Sequence, residues 1–360
     1  MQLCRNIDND AEWDLFSKAA RPVFEHREFI LGPEVKMLEQ KMAGWLQAQD
    51  AIGCNSGFGA QLLGILAFDL DLRAQIAVPV LAPSDFIGVL LRKRFTPVLV
   101  DVNTYDFQMD TSDLSRRVDS NTAAIIVHHL FGGSVDMKAV MDIADTIPVI
   151  EVLTHSLGAH IGERYAGTFG TIATADLRTT VGSGAAGDAG MLWTNNRPLA
   201  EKIRNIRHEN SIAEMHIGIV SGNFHQDTIQ AAFLLRKFED WKEMARRQSE
   251  QITEFAQVMR DRRIFEIVIP EFYNHFGTIL VILAERRSQL MAYLQRRDIE
   301  TAIWSPLPIH LQPGFQSLGY KRGEFPQAEW VTERLIQLPI PGNNEETERL
   351  VESIASFYGR

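Results

Sequence analysis

Four side chains able to move a proton or hold an anion stand out, two of them just beyond apolar runs. Asp85 follows "VPVLAPS", His155 follows "IPVIEV", and Asp176 and Arg178 sit in "TADLRTT". A histidine titrates near neutrality and transfers protons when a carboxylate orients it. His155 with Asp176 or Asp85 is therefore a candidate acid/base pair. Arg178 has the charge and shape to bind a carboxylate or a phosphate. His128, His129, His155, His160 and Glu151 raise the thought of a metal. His155 and His160 are five residues apart, which suits neither one helical face nor a zinc signature, so no metal is expected.

These groups need a scaffold to bring them together. The runs "IAVPV" (76–80), "TPVLVDV" (96–102), "AAIIVHHLF" (123–131) and "IPVIEV" (147–152) alternate with periodic segments such as "DMKAVMDIADT". Continuous apolar strands alternating with helices predict an α/β fold with a mainly parallel sheet covered on both faces. Ligands of such sheets bind beyond the carboxyl ends of the strands, here "CNSGFG", "VLAPSD", "HHLFGG" and "EVLTHS". Upstream, "EVKMLEQKMAGWLQA" places Val35, Leu38, Met42, Trp45 and Leu46 on one helical stripe. "GMLWTNN" reads as a further strand and "RPLAEKIRNIRHE" as a charged helix. A long helix is expected from about Asp227 to Arg262. Beyond it, "FEIVIP" and "GTILVILA" read as strands and "RRSQLMAYLQRRD" as a helix. The expected division is a large α/β domain over 1–225, and a connecting helix with a small C-terminal α+β domain over 226–360.

Composition narrows the classes. The 360 residues are 45% hydrophobic, and 36 Lys plus Arg against 46 Asp plus Glu leave a net charge of -10. With no basic stripe, nucleic acid is not an expected partner. Two cysteines, Cys4 and Cys54, exclude a disulfide framework and fit a reducing cytoplasm. No secretory signal pattern opens the sequence, and no apolar run reaches the roughly 18 residues of a membrane span. "VGSGAAGDAG" does not follow a strand-turn-helix start, so a dinucleotide loop is not expected there.

Taken in order, "FILGPEVKMLEQKMAGWL", "AIGCNSGFGAQLLGI", "PVLVDVNTYDFQMD", "AAIIVHHLFGGSVDM", "VIEVLTHSLGAHIGERYAGTFGT", "GDAGMLWTNN", "SGNFHQDTIQAAFLLRKF" and "PLPIHLQPGFQSLGYKRGEFPQAEWVTERLIQLPI" resemble the DegT/StrS nucleotide-sugar aminotransferases. These are pyridoxal-phosphate enzymes of the aspartate-aminotransferase fold, and the resemblance covers about residues 25–358. It implies the type I fold of those enzymes, a homodimer with sites between subunits, and a nucleotide-sugar ligand. It also implies where a coenzyme would be held. The reactive lysine falls at Val181 or Gly182, and no lysine occurs between Lys138 and Lys202. The carboxylate for the pyridine nitrogen falls at Val152, and the glutamine beyond it at His155. The phosphate turn is Ser56-Gly57-Phe58, the stacking aromatic falls near Pro83, and the upstream phosphate-binding serine falls at Asp176 or Leu177. Gly57 and Asn223, the latter reaching the partner's site, stay compatible with the coenzyme. His129 matches a histidine usual in the family. The stretch from His310 to Tyr320, "HLQPGFQSLGY", lines the sugar-nucleotide pocket in relatives; a loop that only packs on the dimer partner is the alternative.

The expectation from these substitutions is that pyridoxal phosphate is not bound. The chain is then expected to carry out coenzyme-free isomerisation, epimerisation, cyclisation or dehydration on a sugar. His155, Asp176 and Asp85 are the candidate catalytic residues, and Arg178, Ser56, Gly57, Asn223, His310 and Gln312 the candidate binding residues. A decayed site, with the protein acting as a binding or regulatory subunit that pairs with itself or with an active paralogue, is the first alternative. Pyridoxal-dependent sugar transamination is the second.

Overall fold

The computed structural model describes residues 1, 3, 9–178, 184–208, 222–270 and 279–360. Two helices come first, α1 (Asn9–His26) and α2 (Pro33–Leu46). Strands and helices then alternate: β1 (Asp50–Cys54), α3 (Gly57–Leu66), β2 (Gln75–Pro79), α4 (Ser84–Arg92), β3 (Thr96–Val100), α5 (Thr111–Arg117), β4 (Thr122–His128), α6 (Met137–Ala144) and β5 (Val149–Val152). A hairpin of β6 (His160–Ile161) and β7 (Arg164–Tyr165) precedes β8 (Ile172–Asp176), β9 (Gly190–Thr194) and α7 (Arg197–Arg207). The large sheet runs β1-β9-β8-β5-β4-β2-β3. Strand β9 is antiparallel to both neighbours and the other pairs are parallel. The α/β architecture is therefore the expected one, and the carboxyl ends of β1, β2, β5 and β8 share one edge.

Two elements go beyond the sequence reading. Helix α1 lies against the long helix through Ala19, Val23, Ala232 and Phe233. Strand β8 occupies the middle of the sheet although "IATAD" is barely apolar. Its two faces are covered by different helices: Ile172 packs with Ala60 and Leu63 of α3, and Ala173 and Ala175 pack with α2 and α8.

The C-terminal elements are α8 (Thr228–Asp261), β10 (Ile267–Val268), β11 (Leu280–Ala284), α9 (Arg287–Gln295), α10 (Pro326–Arg334), β12 (Leu335–Leu338) and α11 (Asn344–Tyr358). Strands β10-β11-β12 form a separate antiparallel sheet. Helix α8 serves both cores. Leu234, Phe238 and Trp241 pack with α2, while Ile252, Phe255 and Met259 pack under the small sheet. The segment 304–328 returns to the large sheet and is pinned there. Ile309 N–H donates to Val80 O (3.1 Å), and Leu99 N–H donates to Tyr320 Oη (3.3 Å). The Asp101 carboxylate accepts the Gln327 and Ala328 N–H groups (3.2 and 2.9 Å), capping α10 from another part of the chain. Among the described residues no helix is long and apolar enough to cross a membrane.

Candidate functional site

A cavity of about 460 Å³ opens at the carboxyl edge of the large sheet. Its size is that of an ordinary small-molecule site. Ser56, Phe58 and Gln61 come from the start of α3, and Pro83, Ser84 and Asp85 from the head of α4. Thr154 and His155 follow β5, while Asp176, Arg178 and Asp188 flank the β8–β9 connection. The tail supplies Trp304, Ser305 and Gln312.

Ser56 is extended (φ -163°, ψ 162°) and caps α3, its Oγ accepting Gly59 N–H at 2.9 Å. The next residue must be small. A Cβ on Gly57 would lie 2.3 Å from Asp176 Cβ and 2.6 Å from its Cα. Glycine here lets the end of β8 reach the head of α3, and so sets Asp176 at the cavity. Asp176 Oδ1 accepts Arg178 N–H (2.8 Å), and Oδ2 accepts from Arg178 Nη2 (3.2 Å). Burial pushes its carboxyl above the ordinary range, against the pull of Arg178. Arg178 Nη1 also reaches Asp188 Oδ1 at 3.3 Å. Asp85 is exposed, and its Oδ1 accepts Phe86 N–H at 2.8 Å.

His155 is 9% exposed. Its ring stands edge-on to Trp304, with centroids 4.7 Å apart at 77°. Burial lowers its pKa to about 4, so it is neutral at pH 7 and a weaker base than a solvated imidazole. The two carboxylates expected to orient it bond elsewhere, Asp176 to Arg178 and Asp85 to the α4 backbone.

Of the other candidate residues, Ser56 and Gln312 line the cavity and Gly57 packs beneath it. Gln312 Nε2 is directed at Leu307 O (2.9 Å). His310 does not face the cavity: its buried Nε2 meets Glu329 Oε1 at 2.9 Å, and its ring packs on Phe325. Asn223 is exposed and outside the cavity wall of the single chain. Val181 and Gly182 lie outside the described residues. Gln61 and Trp304 were not foreseen. Gln61 had one signal, as the single polar residue of the apolar helix "GFGAQLLGIL".

Beneath the cavity lies a second cluster. Glu151 is fully buried and accepts the N–H groups of Gly167, Phe169 and Gly170 at 2.7, 2.8 and 2.5 Å. His129 Nδ1 accepts Val135 N–H (3.1 Å), so its proton is on Nε2, which donates to Glu151 Oε2 (3.1 Å). Burial, with His129 and His155 nearby, lowers the His128 pKa to about 3. Among the described residues no His, Cys, Asp and Glu group is placed to hold a metal ion.

Comparison with known proteins follows the same lines. Residues 12–355 match the family model described as the DegT/DnrJ/EryC1/StrS aminotransferase family. A "Pleiotropic regulatory protein" from Geobacillus stearothermophilus is 34% identical, over 93% of this chain and 92% of its own. A dTDP-3-amino-3,6-dideoxy-alpha-D-galactopyranose transaminase from Aneurinibacillus thermoaerophilus is 29% identical, over 94% of each. Among solved structures, a DegT DnrJ EryC1 StrS aminotransferase from Brucella abortus superposes with a TM-score of 0.90 at 23% identity, each chain covered completely. A putative sugar aminotransferase from Streptococcus pneumoniae in its PLP form superposes at 0.87 and 16% identity, over 99% of this chain and 98% of that one.

These findings correct the expectation that the coenzyme is lost. The matched family is one of aminotransferases, and a structural neighbour carries PLP. The structure shows why the substitutions do not carry that conclusion. The cavity persists at the sheet edge, with Ser56 and the α3 N-terminus, a setting that suits a phosphate, intact at its rim. Arg178 adds a cation there. What the cavity lacks is a lysine among its lining residues.

Proposed function

Since the chain belongs to the DegT/DnrJ/EryC1/StrS aminotransferase family, we propose that it is a nucleotide-sugar enzyme of the aminotransferase type. We propose further that its pyridoxal coenzyme is held without a covalent bond to the chain. When bound, that coenzyme supplies an electron sink for amino-group chemistry. Ser56, the head of α3 and Arg178 are the groups suited to the coenzyme's phosphate. His155, neutral at pH 7, is placed to accept a hydrogen bond or a proton from a bound molecule, and Trp304 covers one edge of its ring. Asp176 and Asp85 line the rim. The observation that carries the reading is the convergence of Ser56, Asp85, His155, Asp176, Arg178 and Gln312 on one cavity in a chain of this family.

A homodimer belongs to the same proposal. Trp13, Phe24, Phe29, Ile30 and Met37 expose large apolar side chains along α1, the loop after it and α2, a surface for a second copy. In that assembly Asn223 would serve the partner's cavity.

Absorbance titration with pyridoxal 5′-phosphate and pyridoxamine 5′-phosphate tests the coenzyme reading. Saturable binding that gel filtration reverses, even after borohydride treatment, is the expected result. Thermal-shift measurements with dTDP- and UDP-linked sugars test the substrate class, because a ligand of the native state raises the melting temperature. No coenzyme binding together with no sugar-nucleotide shift would overturn the proposal. A second reading, binding without turnover, is favoured by the relative named a pleiotropic regulatory protein. Deuterium wash-in to a bound nucleotide sugar separates the two: exchange lost in His155→Ala supports catalysis, and no exchange in wild type supports binding alone.

A further inference from the structure

Helix α8 carries a buried cation outside the cavity. Lys237 is 8% exposed, and its ammonium lies 4.3 Å from the centroid of the Phe233 ring. Burying an ammonium is costly unless a carboxylate and further acceptors surround it. Here Nζ pairs with Glu12 Oε1 of α1 and donates to Gly184 O (3.2 Å). Seven residues earlier, on the same face of α8, Gln230 Nε2 donates to Ala186 O (3.3 Å). One helix face thus holds two carbonyls of the stretch 184–188, which ends at Asp188 in the cavity wall. The other leg of the β8–β9 connection is tied in at the same point. Ala185 N–H donates to Leu177 O (3.1 Å), and a Cβ on Gly184 would lie 2.3 Å from Arg178 O. The backbone that carries the Arg178 guanidinium therefore rests against the residue whose carbonyl Lys237 holds.

We propose that Lys237 and Glu12 form a strut that positions Arg178 for the phosphate of a bound coenzyme. Helix α1 would then act on the cavity without touching its contents. Lys237 is a positioning residue, since it reaches Arg178 only through Gly184. Without the ammonium, or without the carboxylate that orients it, the Gly184 backbone loosens and the Arg178 backbone with it. This inference rests on the reading above that Arg178 serves the coenzyme phosphate.

Absorbance titration with pyridoxal 5′-phosphate tests it in wild type, Lys237→Met and Glu12→Gln, each also made with Arg178→Gln. Lys237→Met and Glu12→Gln are both expected to weaken binding roughly fivefold. With Arg178→Gln present, neither is expected to weaken it further, because the effect runs through that side chain. The Glu12 variant separates position from charge. It keeps the ammonium and removes a negative charge, so a purely electrostatic influence would tighten phosphate binding instead. Wild-type affinity in Lys237→Met overturns the inference, as does tighter binding in Glu12→Gln. Equal weakening with and without Arg178 overturns it too, since Lys237 then supports the fold alone. Amide hydrogen exchange gives a reading that needs no coenzyme. A peptide holding Ala185 is expected to exchange faster in both variants, while β4 keeps its wild-type rate. Unchanged exchange at Ala185 removes the strut whether or not the coenzyme binds. If wild type takes up no pyridoxal 5′-phosphate although exchange quickens, the coenzyme reading has failed and the proposed role fails with it.

Discussion

Glu151 and Asp176 stand on neighbouring strands, β5 and β8, and their surroundings are opposites. Glu151 is fully buried, and its carboxylate takes four donors: three backbone N–H groups and His129. Asp176 sits at the cavity and takes its donors from one residue, Arg178, whose side chain is 58% exposed. A carboxylate saturated by fixed backbone donors is architecture, for it holds the 167–170 turn against the sheet. A carboxylate paired with a long, partly solvated cation can exchange that partner for a ligand.

The largest effect should come from emptying the saturated cluster. Glu151→Ala leaves three backbone N–H groups and the His129 proton without an acceptor in a dry site. That should cost about 3–5 kcal/mol, read as a fall in the denaturant midpoint. Asp176→Asn should cost far less. If the two variants unfolded at the same midpoint, the contrast between architecture and exchangeable site would fail.

Gly57→Ala comes next, because it pushes the two regions apart where β8 meets α3. The added methyl would sit 2.6 Å from the Asp176 Cα, a backbone atom that no rotamer change can move aside. A loss of about 1–3 kcal/mol is expected, with weaker coenzyme binding. A variant that melts like wild type would show that the strand end yields.

How far this was legible from sequence depends on whether the cause is local. The β2, β3, β4 and β5 strands were readable because their apolar residues are consecutive. Strand β8 was not, since Ala173, Thr174 and Ala175 carry little apolar signal, although Ala173 and Ala175 are buried beneath α2 and α8. Asp85 and His155 could be placed because they follow readable strand ends, where ligand sites of such sheets lie, whereas Asp176 and Arg178 were placed through the family resemblance. Trp304 could not, because its position depends on Val80, Leu99 and Asp101 pinning the tail from far along the chain. His310 was misplaced for a similar reason: its partner Glu329 lies nineteen residues away. The coenzyme inference failed differently. It took the joint substitutions at the lysine, pyridine-carboxylate, stacking and phosphate positions as decisive, although the cavity and its helix terminus remain.

Acid should sharpen the comparison by a smaller, graded effect. Burial lowers His128 and His155 from 6.5 to about 3 and about 4. The unfolded chain takes up protons at these positions below pH 6.5 while the folded chain does not. Their contribution to stability is therefore complete above pH 6.5 and is lost progressively as pH falls. Each contributes a slope of up to about 1.4 kcal/mol per pH unit. Asp106, raised by burial from 3.8 to about 6, works the other way, losing stability as pH rises through that interval. His128→Leu should flatten the fall in stability below pH 6.5, and Asp106→Asn should steepen it. Stability measured by denaturation at pH 4.5, 5.5 and 7 checks both signs.

The smallest effect belongs to the rim. Arg178 and Asp188 form an ion pair at 3.3 Å with side chains 58% and 62% exposed. Water screens such a pair, so Asp188→Asn should change stability by no more than about 0.5 kcal/mol. Its effect on binding has the opposite sign. Removing a negative charge beside Arg178 leaves that guanidinium more available to a phosphate, and pyridoxal 5′-phosphate should bind about twofold more tightly at low ionic strength. The gain should fade at 0.5 M salt, where the screening length is only about 4 Å. Titrations at the two salt concentrations, with a denaturation curve for each protein, measure both quantities. A stability loss approaching that of Glu151→Ala would mean that the rim is as rigid as the buried cluster. An affinity gain independent of salt would mean that Arg178 reaches the ligand through a change of shape, because electrostatic attraction at an exposed rim must weaken as ions are added.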